Sequence, residues 1–455
     1  MPTRDPRYGV SRDQAWNRAG LRAFPDPVSG GRAGGVGLEP EYFPILVGPR
    51  NEPRGRMPLR SDDGQGVLDV ICEIARREPD IGAHGDGTLG PWEYHLGQSG
   101  RLTFEPGGQV EHSTAVYAGP STAVTDVSRV LALLREGFSR HGAVLAAVGL
   151  DLWHDVATVA QQLPFGRYQA QAAYYERRGT LGQIMMRHTA SLQINLDLGP
   201  EGVWQERWLA ANLLSPLITA SFACSPSATA SSARARVWQQ MDPTRSGFPE
   251  RLTAGSGDDP RAEWAAAALA ADVMLFRLPG NRWDPGTPGF TFERWLSEGH
   301  PEYGWPTVED LDYHLTTLFF EVRPRGFLEL RAGEAVPDRL RAAQVVLITS
   351  ALYDDRARAK VIEVLGGHRP SLPELWRRGA TAGMGDGVLC ELAGLVWEEA
   401  VRGAERLGDR CVGPDDLDVV RWFLEQYTAR CRTPADTLRS LHTENPARSL
   451  AWAAS

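Results

Sequence analysis

Alternating polar and apolar residues predict a first strand over residues 37–47. Leu38 and Pro40 share one face of this segment and Glu39 and Glu41 share the other, because successive side chains of a strand point to opposite faces. Pro40 cannot donate a backbone hydrogen bond to a neighbouring strand. The pattern therefore predicts a strand with two carboxylates on one face, placed at a sheet edge or a bulge.

A second segment, residues 189–198, repeats this alternation. Ser191, Gln193, Asn195 and Asp197 point one way, and the apolar residues between them point the other way. Such alternation is typical of a strand with one face against a core. We therefore predict a second strand whose polar side chains form a row on one face.

The remaining periodicities predict an α+β fold. Further strands are predicted at residues 102–105, 109–112, 143–150, 315–320 and 326–331, and helices at residues 121–142, 168–187, 204–223 and 263–276. Beyond Pro337 the pattern is almost wholly helical. We expect a loosely ordered leader (1–34) and a single catalytic domain (35–455), divided into a sheet-based active-site core (35–337), a helical part (338–440) and an irregular tail (441–455).

Composition excludes several classes of function. The net charge is −9 and there is no basic run, so no nucleic-acid partner is expected. No stretch approaches the roughly 18 consecutive apolar residues of a membrane helix, so no membrane partner is expected either. The five cysteines are widely spaced without a C-x-x-C pair, which argues against a disulfide framework or a zinc site and for a cytoplasmic location. The sequence does not indicate an oligomeric state.

The basic residues are almost all arginines, and Lys360 is the only lysine of the chain. A P-loop requires G-x-x-x-x-G-K-[ST], which is therefore excluded. Residues 85–90 match G-x-G-x-x-G, but no strand precedes them and no helix pattern follows, so we do not interpret them as a dinucleotide site. A phosphate group bound by this chain must be held by arginines and metal ions.

Carboxylates and amides recur on single strand faces in four segments. A solvated antiparallel sheet would produce the same alternation for any one pair. Four glutamate-rich segments are harder to explain in this way, since strands are depleted in glutamate and adjacent like charges repel unless a cation neutralises them. Hard divalent cations bind carboxylate and amide oxygens. The face is therefore interpreted as the floor of a metal–nucleotide site, formed by Glu39 and Glu41, Glu105 and Glu111, Gln193, Asn195 and Asp197, and Glu329 with Arg331.

Arginines occur where such a site would need them. Guanidinium groups bind phosphate and carboxylate oxygens in pairs, although each arginine taken singly can be a surface charge. His314 fits a catalytic histidine and a structural one equally well. The candidate arginines are Arg323, Arg325 and Arg331 near the last strand, and Arg234, Arg236 and Arg245 in a loop-like segment.

With these motifs in hand, the sequence resembles the plant-type glutamate–cysteine ligases, and more closely the bacterial branch that opens ergothioneine biosynthesis. The likeness runs in order from about residue 35 to residue 337. The matching motifs are Gly37-Leu38-Glu39-Pro40-Glu41, Glu105-Pro106-Gly107-Gly108-Gln109-Val110-Glu111, Gly166-Arg167-Tyr168, residues 189–197, Arg234 with Arg236-Val237-Trp238, residues 242–247, residues 310–319, and residues 321–331.

The resemblance implies a glutamine-synthetase-like fold, in which a curved antiparallel sheet with flanking helices presents metal-binding glutamates to ATP and glutamate. It implies ATP and Mg²⁺ as cofactors, with Mn²⁺ as the alternative metal. Carried over position by position, the metal ligands are Glu39, Glu41, Glu105, Glu111, Gln193 and Glu329; the substrate-binding residues are Arg167, Tyr168, Arg234 and Arg245; the nucleotide-binding residues are Gln193, Asn195 and Arg325; and the catalytic residues are Arg323 and Arg331.

The implied reaction is ATP-dependent activation of the glutamate side-chain carboxylate as an acyl phosphate, followed by attack of the cysteine amine to give γ-glutamylcysteine for ergothioneine or another thiol. The alternative is the same activation with a different amine in a specialised natural-product pathway. A catalytically inactive relative that serves as a binding protein is a third interpretation, which the retained glutamates and arginines disfavour. No general base is assigned.

The chain departs from the family pattern at three places near the expected substrates. His112-Ser113-Thr114 replaces Leu-Ser-Gly after Glu111, Ala332-Gly333-Glu334 replaces bulkier residues after Arg331, and Gln171 replaces a methionine. These differences leave the amine less securely defined than glutamate and ATP.

Overall fold

The computed structural model describes residues 9–26, 34–84, 92–200, 202–255 and 259–455. Parts of the predicted leader, residues 1–8 and 27–33, and the G-x-G-x-x-G segment at 85–90 lie outside these ranges. Within these described ranges, no helix is both long and apolar enough to cross a bilayer.

The strands build one large antiparallel sheet and two small pairs. The large sheet has the order β13-β14-β8-β1-β6-β5-β4-β3, and β2 and β7 also pair with β1. The strands are β1 (Val36–Val47), β2 (Pro53–Arg56), β3 (Ile81–His84), β4 (Glu93–Leu96), β5 (Arg101–Phe104), β6 (Val110–Ser113), β7 (Ala143–Ala146), β8 (Leu192–Asp197), β9 (Ser246–Gly247), β10 (Leu275–Leu278), β11 (Arg282–Pro285), β12 (Phe319–Phe320), β13 (Val322–Pro324) and β14 (Phe327–Leu330). This arrangement confirms the predicted α+β fold with an antiparallel sheet.

Helices flank the sheet and make up most of the chain beyond Pro337. They are α1 (Arg12–Ala23), α2 (Val67–Arg77), α3 (Pro120–Arg140), α4 (Gly166–Glu176), α5 (Leu181–His188), α6 (Val203–Ser221), α7 (Ala233–Met241), α8 (Glu250–Ala254), α9 (Pro260–Ala270), α10 (Phe292–Glu298), α11 (Val308–Thr316), α12 (Asp338–Tyr353), α13 (Asp355–Leu365), α14 (Leu372–Ala382), α15 (Gly387–Leu407), α16 (Pro414–Gln426), α17 (Pro434–Glu444) and α18 (Pro446–Ala453).

One main hydrophobic core joins the apolar face of the sheet to the C-terminal helices. Leu38, Ile194 and Leu328 belong to it, and so do Leu347 of α12 and Trp397 of α15. Apolar burial on this scale is the dominant favourable term in folding. The shared core supports the proposal that residues 35–455 act as one catalytic domain.

Strand β1 lies in the middle of the sheet, so the predicted edge position of Pro40 is wrong. Residues Val36 to Pro40 pair with β8, and pairing with β6 begins only at Glu41. Proline is tolerated here because the pairing of β1 with β6 begins only at Glu41, and the nearest backbone hydrogen bond before it on that side joins the Thr114 N–H to the Leu38 carbonyl. The missing N–H therefore interrupts no ladder at this point.

The predicted leader is wrong for residues 12–23, which form helix α1. The Ser11 hydroxyl caps this helix by accepting a hydrogen bond from the Gln14 backbone N–H at 3.2 Å. The Gln14 side-chain carbonyl in turn accepts a hydrogen bond from the Ser11 backbone N–H at 3.0 Å. Such a capping box stabilises a helix N-terminus. Arg18 binds both carboxylate oxygens of Asp312 in α11 at 2.7 and 2.6 Å, and the carbonyl of Ala23 accepts a hydrogen bond from the Gly326 N–H at 2.9 Å.

The predicted irregular tail is also wrong, because α17 continues to Glu444 and α18 follows. The Asn445 side chain caps α18 by accepting a hydrogen bond from the Ala447 N–H at 2.9 Å. The argument against a disulfide framework has one exception. Cys390 and Cys431 form a disulfide with a Cα–Cα distance of 5.6 Å, whereas Cys72, Cys224 and Cys411 are free.

Several predicted elements have different bounds in the structure, and the helix predicted at 168–187 is divided into α4 and α5. The strand predicted at 143–150 ends at Ala146, and the helix predicted at 263–276 ends at Ala270 and gives way to β10. The strand predicted at 315–320 is wrong in its first half, since α11 extends through Thr316. The turn at Arg325 connects β13 and β14, and not the predicted strand at 315–320.

Candidate active site

The polar face of the large sheet gathers the predicted glutamates and amides in register. Glu39 of β1 lies opposite Gln193 of β8, and Glu41 of β1 lies opposite Glu111 of β6. On the other side of β8, Asn195 pairs with Glu329 of β14. Four neighbouring strands thus contribute to one surface, as the period-two pattern of each strand predicts.

This surface is the floor of a cleft with a volume of about 280 Å³. Its walls come from helices and loops that follow the strands in sequence. Among the predicted residues, the cleft is lined by Glu39, Glu41, Glu105, Glu111, Arg167, Tyr168, Gln193, Arg234, Arg323 and Arg331. Helix α5 adds Met185 and Met186, and the segments near β10 and β12 add Met274, Leu275 and Phe319.

A network of arginines encloses Glu329, whose side chain has no solvent exposure. Arg323 binds both carboxylate oxygens of Glu329 at 2.7 Å, and Arg331 donates to Glu329 and to the side-chain carbonyl of Gln193 at 2.5 Å each. Although burial opposes ionisation, Arg323 and Arg331 lower the pKa of Glu329 to about 2. The Glu329 carboxylate is therefore ionised and committed to orienting two cleft arginines.

The other glutamates of the floor are held close together against their mutual repulsion. Burial, with the charges of Glu111 and Glu329, raises the pKa of Glu39 to about 7. Burial and neighbouring carboxylates likewise raise the pKa of Glu105 and Glu111, and burial raises that of Glu41. Buried like charges are costly unless a counter-charge is present. The floor is thus electrostatically prepared to receive a cation.

Carboxylate and amide oxygens suit a hard divalent cation such as Mg²⁺. Across the described ranges, however, no group of three or more His, Cys, Asp or Glu side chains converges on a metal position. Glu41 accepts hydrogen bonds from the Ser191 hydroxyl at 2.7 Å and the Ser191 N–H at 2.9 Å, and Glu329 is bound by arginines. The carboxylate and amide groups of the floor are chemically suited to a metal ion. These side chains would have to reorient to act as the predicted metal ligands.

Glu105 differs from its neighbours in its contacts. It follows β5 and begins the turn through Gly107 and Gly108 that leads to β6. In the described part of the chain, no hydrogen bond or ion pair of the Glu105 carboxylate is recorded, whereas Glu39, Glu41, Glu111 and Glu329 each accept hydrogen bonds. Glu105 is therefore the carboxylate of the floor that is most available to a cation.

The family follows from comparison with known proteins. Residues 36–444 match the family described as glutamate–cysteine ligase family 2. The chain belongs to this family. The glutamate–cysteine ligase EgtA of Mycolicibacterium smegmatis is 38% identical over 345 residues, covering 74% of this chain and 76% of that protein. The chloroplastic glutamate–cysteine ligase of Brassica juncea is 28% identical over 426 residues, covering 90% and 77%.

A solved structure shares the fold of this glutamate–cysteine ligase family member. The glutamate–cysteine ligase of Francisella tularensis, determined in complex with AMP, aligns with a TM-score of 0.53 at 11% identity, covering 92% of this chain and 88% of that one. The match extends over the sheet and the helical part together, which agrees with the shared core described above.

Two predicted nucleotide-binding residues of the ligase lie beside the cleft rather than on its lining. Asn195 donates a hydrogen bond to Glu39 at 2.8 Å. Arg325 is half exposed in the turn between β13 and β14 and lies 3.5 Å from Glu329. Both stay predictions, and both touch a glutamate of the floor.

Arg245 does not reach the cleft, which corrects its predicted role in substrate binding. Its side chain has no exposed surface, and it binds the Asp242 carboxylate at 2.6 Å, the Thr317 carbonyl at 2.9 Å and the Asp272 carbonyl at 2.7 Å. These bonds join α7, α9 and α11 behind the cleft wall. Arg245 therefore stabilises the fold behind the cleft and does not bind substrate.

We expect Arg245→Lys to lower the free energy of unfolding by about 3 kcal/mol, since a lysine cannot replace the forked set of buried hydrogen bonds. The KM for each substrate should stay unchanged. Chemical unfolding and steady-state kinetics test this, with Arg402→Lys on the exposed face of α15 as the control. A raised KM for glutamate with wild-type stability would restore the substrate-binding assignment.

His314 proves to be structural. It is buried, one of its ring nitrogens lies 2.8 Å from the Ala268 carbonyl, and its ring packs against Phe292. Burial lowers its pKa to about 3. The His314 imidazole is therefore neutral in the folded protein. It is not available as a catalytic acid or base.

The lowered pKa of His314 predicts a loss of stability in acid. As the pH falls below about 6.5, the unfolded chain takes up a proton that the folded chain excludes, which costs about 1.4 kcal/mol of stability per pH unit. Between pH 7 and pH 5, His314→Gln should lose about 2 kcal/mol less than the wild type. Urea unfolding at both pH values measures this difference. Equal losses in the two proteins would contradict the assignment.

The cleft also contains Trp238, which belongs to one of the matching motifs but was given no role from the sequence. Trp238 packs beside both Arg234 and Arg331, with guanidinium-to-ring distances of 5.4 and 5.5 Å. Its buried indole N–H has no hydrogen-bond partner in the described chain, so it can donate to a ligand. Its position one turn after Arg234 in α7 was a usable signal, because residues i and i+4 of a helix lie on one face.

Proposed function

We propose that this chain is an ATP-dependent ligase that joins the side-chain carboxylate of glutamate to the amine of cysteine, giving γ-glutamylcysteine. The observation that carries the proposal is the single cleft in which a glutamate-rich sheet face meets Arg167, Arg234, Arg323 and Arg331. Membership of glutamate–cysteine ligase family 2, together with the activity for which the relatives are named, supports the same reaction.

Two sets of cleft arginines are assigned to different anionic groups. Arg323 lies on β13 and Arg331 directly follows β14, and both would hold the phosphates of ATP. Arg167 and Arg234 lie on α4 and α7 and would hold the carboxylates of glutamate. Tyr168 packs against Arg167, and its hydroxyl accepts a hydrogen bond from that guanidinium at 2.6 Å, which fixes the direction of the arginine.

The reaction needs no covalent bond to the protein. A carboxylate is a poor electrophile, so ATP first phosphorylates the glutamate side chain, and the amine then attacks the acyl phosphate and releases phosphate. Positioning and charge neutralisation supply most of the rate acceleration in phosphoryl transfer. Bound Mg²⁺, or Mn²⁺, would neutralise phosphate charge; Glu39, Glu41, Glu105, Glu111 and Gln193 would hold it, with Glu329 orienting the arginines.

The apolar part of the cleft lining suits a thiol side chain. Met185, Met186 and Met274 line the cleft, and thioether groups form a polarisable, apolar surface. A cysteine thiol can contact such a surface without losing strong hydrogen bonds, unlike a hydroxyl group. Gln171 adds one amide to the same lining, which leaves a different amine as the second candidate.

The test is phosphate release from ATP with glutamate and Mg²⁺, comparing cysteine with a panel of other amines. Cysteine should stimulate release, and mass spectrometry should identify γ-glutamylcysteine. Stimulation by another amine alone would retain the mechanism and replace the acceptor. The likeness to EgtA favours ergothioneine as the thiol served, and the supply of ATP, glutamate and cysteine favours the cytoplasm as the compartment.

A further inference from the structure

A second buried carboxylate lies behind the cleft, outside its lining residues. Glu334 follows β14, is 2% exposed and accepts three hydrogen bonds. The Cys224 backbone N–H donates to it at 2.5 Å and the Ser225 hydroxyl at 2.7 Å. The Ser232 hydroxyl donates to the same carboxylate. All three donors belong to the segment that connects α6 to α7.

Two of these donors, the hydroxyl groups of Ser225 and Ser232, also bind backbone N–H groups in the first turn of α7. The Ser225 hydroxyl oxygen accepts a hydrogen bond from the Arg234 backbone N–H at 3.1 Å. Ser232 is the N-cap of α7, and its hydroxyl oxygen accepts from the Ala235 N–H at 3.0 Å. The first four N–H groups of a helix have no partner within the helix. Glu334 therefore satisfies the beginning of α7 through two serine hydroxyls.

Arg234 stands in the first turn of this helix and lines the cleft. Its guanidinium donates to the Arg331 carbonyl at 3.2 Å. Burial raises the pKa of Glu334, whereas Ser232, Ser225 and the charge of Arg234 oppose that rise. A buried carboxylate is expensive unless its hydrogen bonds and counter-charge are in place, and here the counter-charge is a cleft arginine.

The space around the Glu334 carboxylate is closed on its remaining side. A Cβ atom added to Gly149 would lie 2.3 Å from the Glu334 carboxyl carbon. The Gly149 N–H also donates to the Cys224 carbonyl at 3.1 Å. The carboxylate cannot shift without breaking bonds to the α6–α7 connection, so its position determines where that connection runs.

We propose that Glu334 is a positioning residue for glutamate binding: through Ser225 and Ser232 it holds the start of α7 so that Arg234 faces the substrate. This inference rests on the proposed function, in which Arg234 binds a glutamate carboxylate. Glu334 does not touch the substrate. Its effect should therefore appear in substrate affinity, because the Glu334 carboxylate is hydrogen-bonded to the α6–α7 connection and not to Arg323 or Arg331.

The decisive variants are Glu334→Gln and Ser225→Ala. In Glu334→Gln the amide places an N–H group against one of three donors and removes the charge that faces Arg234. We expect the KM for glutamate to rise about tenfold, with kcat within about twofold of the wild type. Ser225→Ala removes one of the two links and should raise the same KM about threefold, with the KM for ATP unchanged in both variants.

Glu263→Gln is the matched control. Glu263 is equally buried and accepts hydrogen bonds from the Trp208 indole N–H at 2.7 Å and from Arg369 at 2.8 Å, away from the cleft. This variant should lower Tm and retain the wild-type KM for glutamate. If Glu334→Gln behaves in the same way, Glu334 is merely structural and the inference is wrong.

Ser225→Ala decides the question if Glu334→Gln fails to fold, and an unchanged KM for glutamate would then overturn the inference. Calorimetric titration of glutamate into the wild type separates this failure from failure of the proposed function. A wild type that neither binds glutamate nor releases phosphate with any amine defeats both proposals. A wild type that binds glutamate with the same affinity as Ser225→Ala defeats only the role of Glu334.

Discussion

Replacement of Glu105 by glutamine is expected to lower ATP turnover by at least about a thousandfold, because an amide would not supply the negative charge that a metal ion bound with ATP requires. The same variant should be at least as stable as the wild type. Burial and the charges of Glu111 and Glu41 raise the pKa of Glu105, so removal of its charge relieves repulsion in the floor. Phosphate release at saturating Mg²⁺ and thermal unfolding measure the two effects.

Glu329→Gln is the instructive comparison for this prediction. Its carboxylate is bound by Arg323 and Arg331, so the amide would leave two buried guanidinium groups without their counter-charge. Activity and stability should then fall together. Wild-type turnover in Glu105→Gln would refute the assignment of Glu105 to the metal, whatever the behaviour of Glu329→Gln.

Arg331→Ala is expected to reduce kcat by about three orders of magnitude, since arginines that stabilise the transferring phosphoryl group contribute on this scale. Arg331 contacts Glu329 and Gln193 through one NH group and lies 5.5 Å from the rings of both Trp238 and Phe319. These contacts fix its direction before the substrate arrives. Rapid-quench measurement of phosphate formation at saturating glutamate isolates the chemical step.

Arg331→Lys refines this prediction. It keeps the charge but loses the planar guanidinium group that lies beside the rings of Trp238 and Phe319, so its kcat should lie between those of the wild type and Arg331→Ala. Arg129→Ala is the control, because Arg129 pairs with Asp126 and Ser99 outside the cleft. A kcat for Arg331→Ala within tenfold of the control would show that this arginine is dispensable for phosphoryl transfer.

The floor of the cleft was predictable because a strand fixes side-chain direction within a few residues. Glu39 and Gln193 come from segments with unambiguous alternation, and the structure sets them opposite each other. Arg245 was not predictable in the same way. Nothing near it in sequence distinguishes an arginine in a cleft from one whose partners, Thr317 and Asp272, come from distant segments.

Errors at element boundaries have a related cause. Thr316 was assigned to a strand because the residues around it are apolar and β-branched, yet the capping box of Thr307 and Asp310 starts a helix that includes it. The disulfide between Cys390 and Cys431 was missed because its partners are 41 residues apart. In each case a tertiary or capping contact overrides the local pattern.

Helix α1 precedes residue 36, where the match to the family begins. It nevertheless contacts two segments that carry residues in or beside the cleft. Arg18 ties it to Asp312, the neighbour of the lining residue Tyr313, and Ala23 ties it to the turn that carries Arg325. Its buried Ala15 completes a small hydrophobic cluster with Leu269 and Leu311. A shortened chain cut at the family boundary would therefore expose an apolar groove, and low yield or aggregation of such a protein would reflect a missing helix rather than a defective catalytic site.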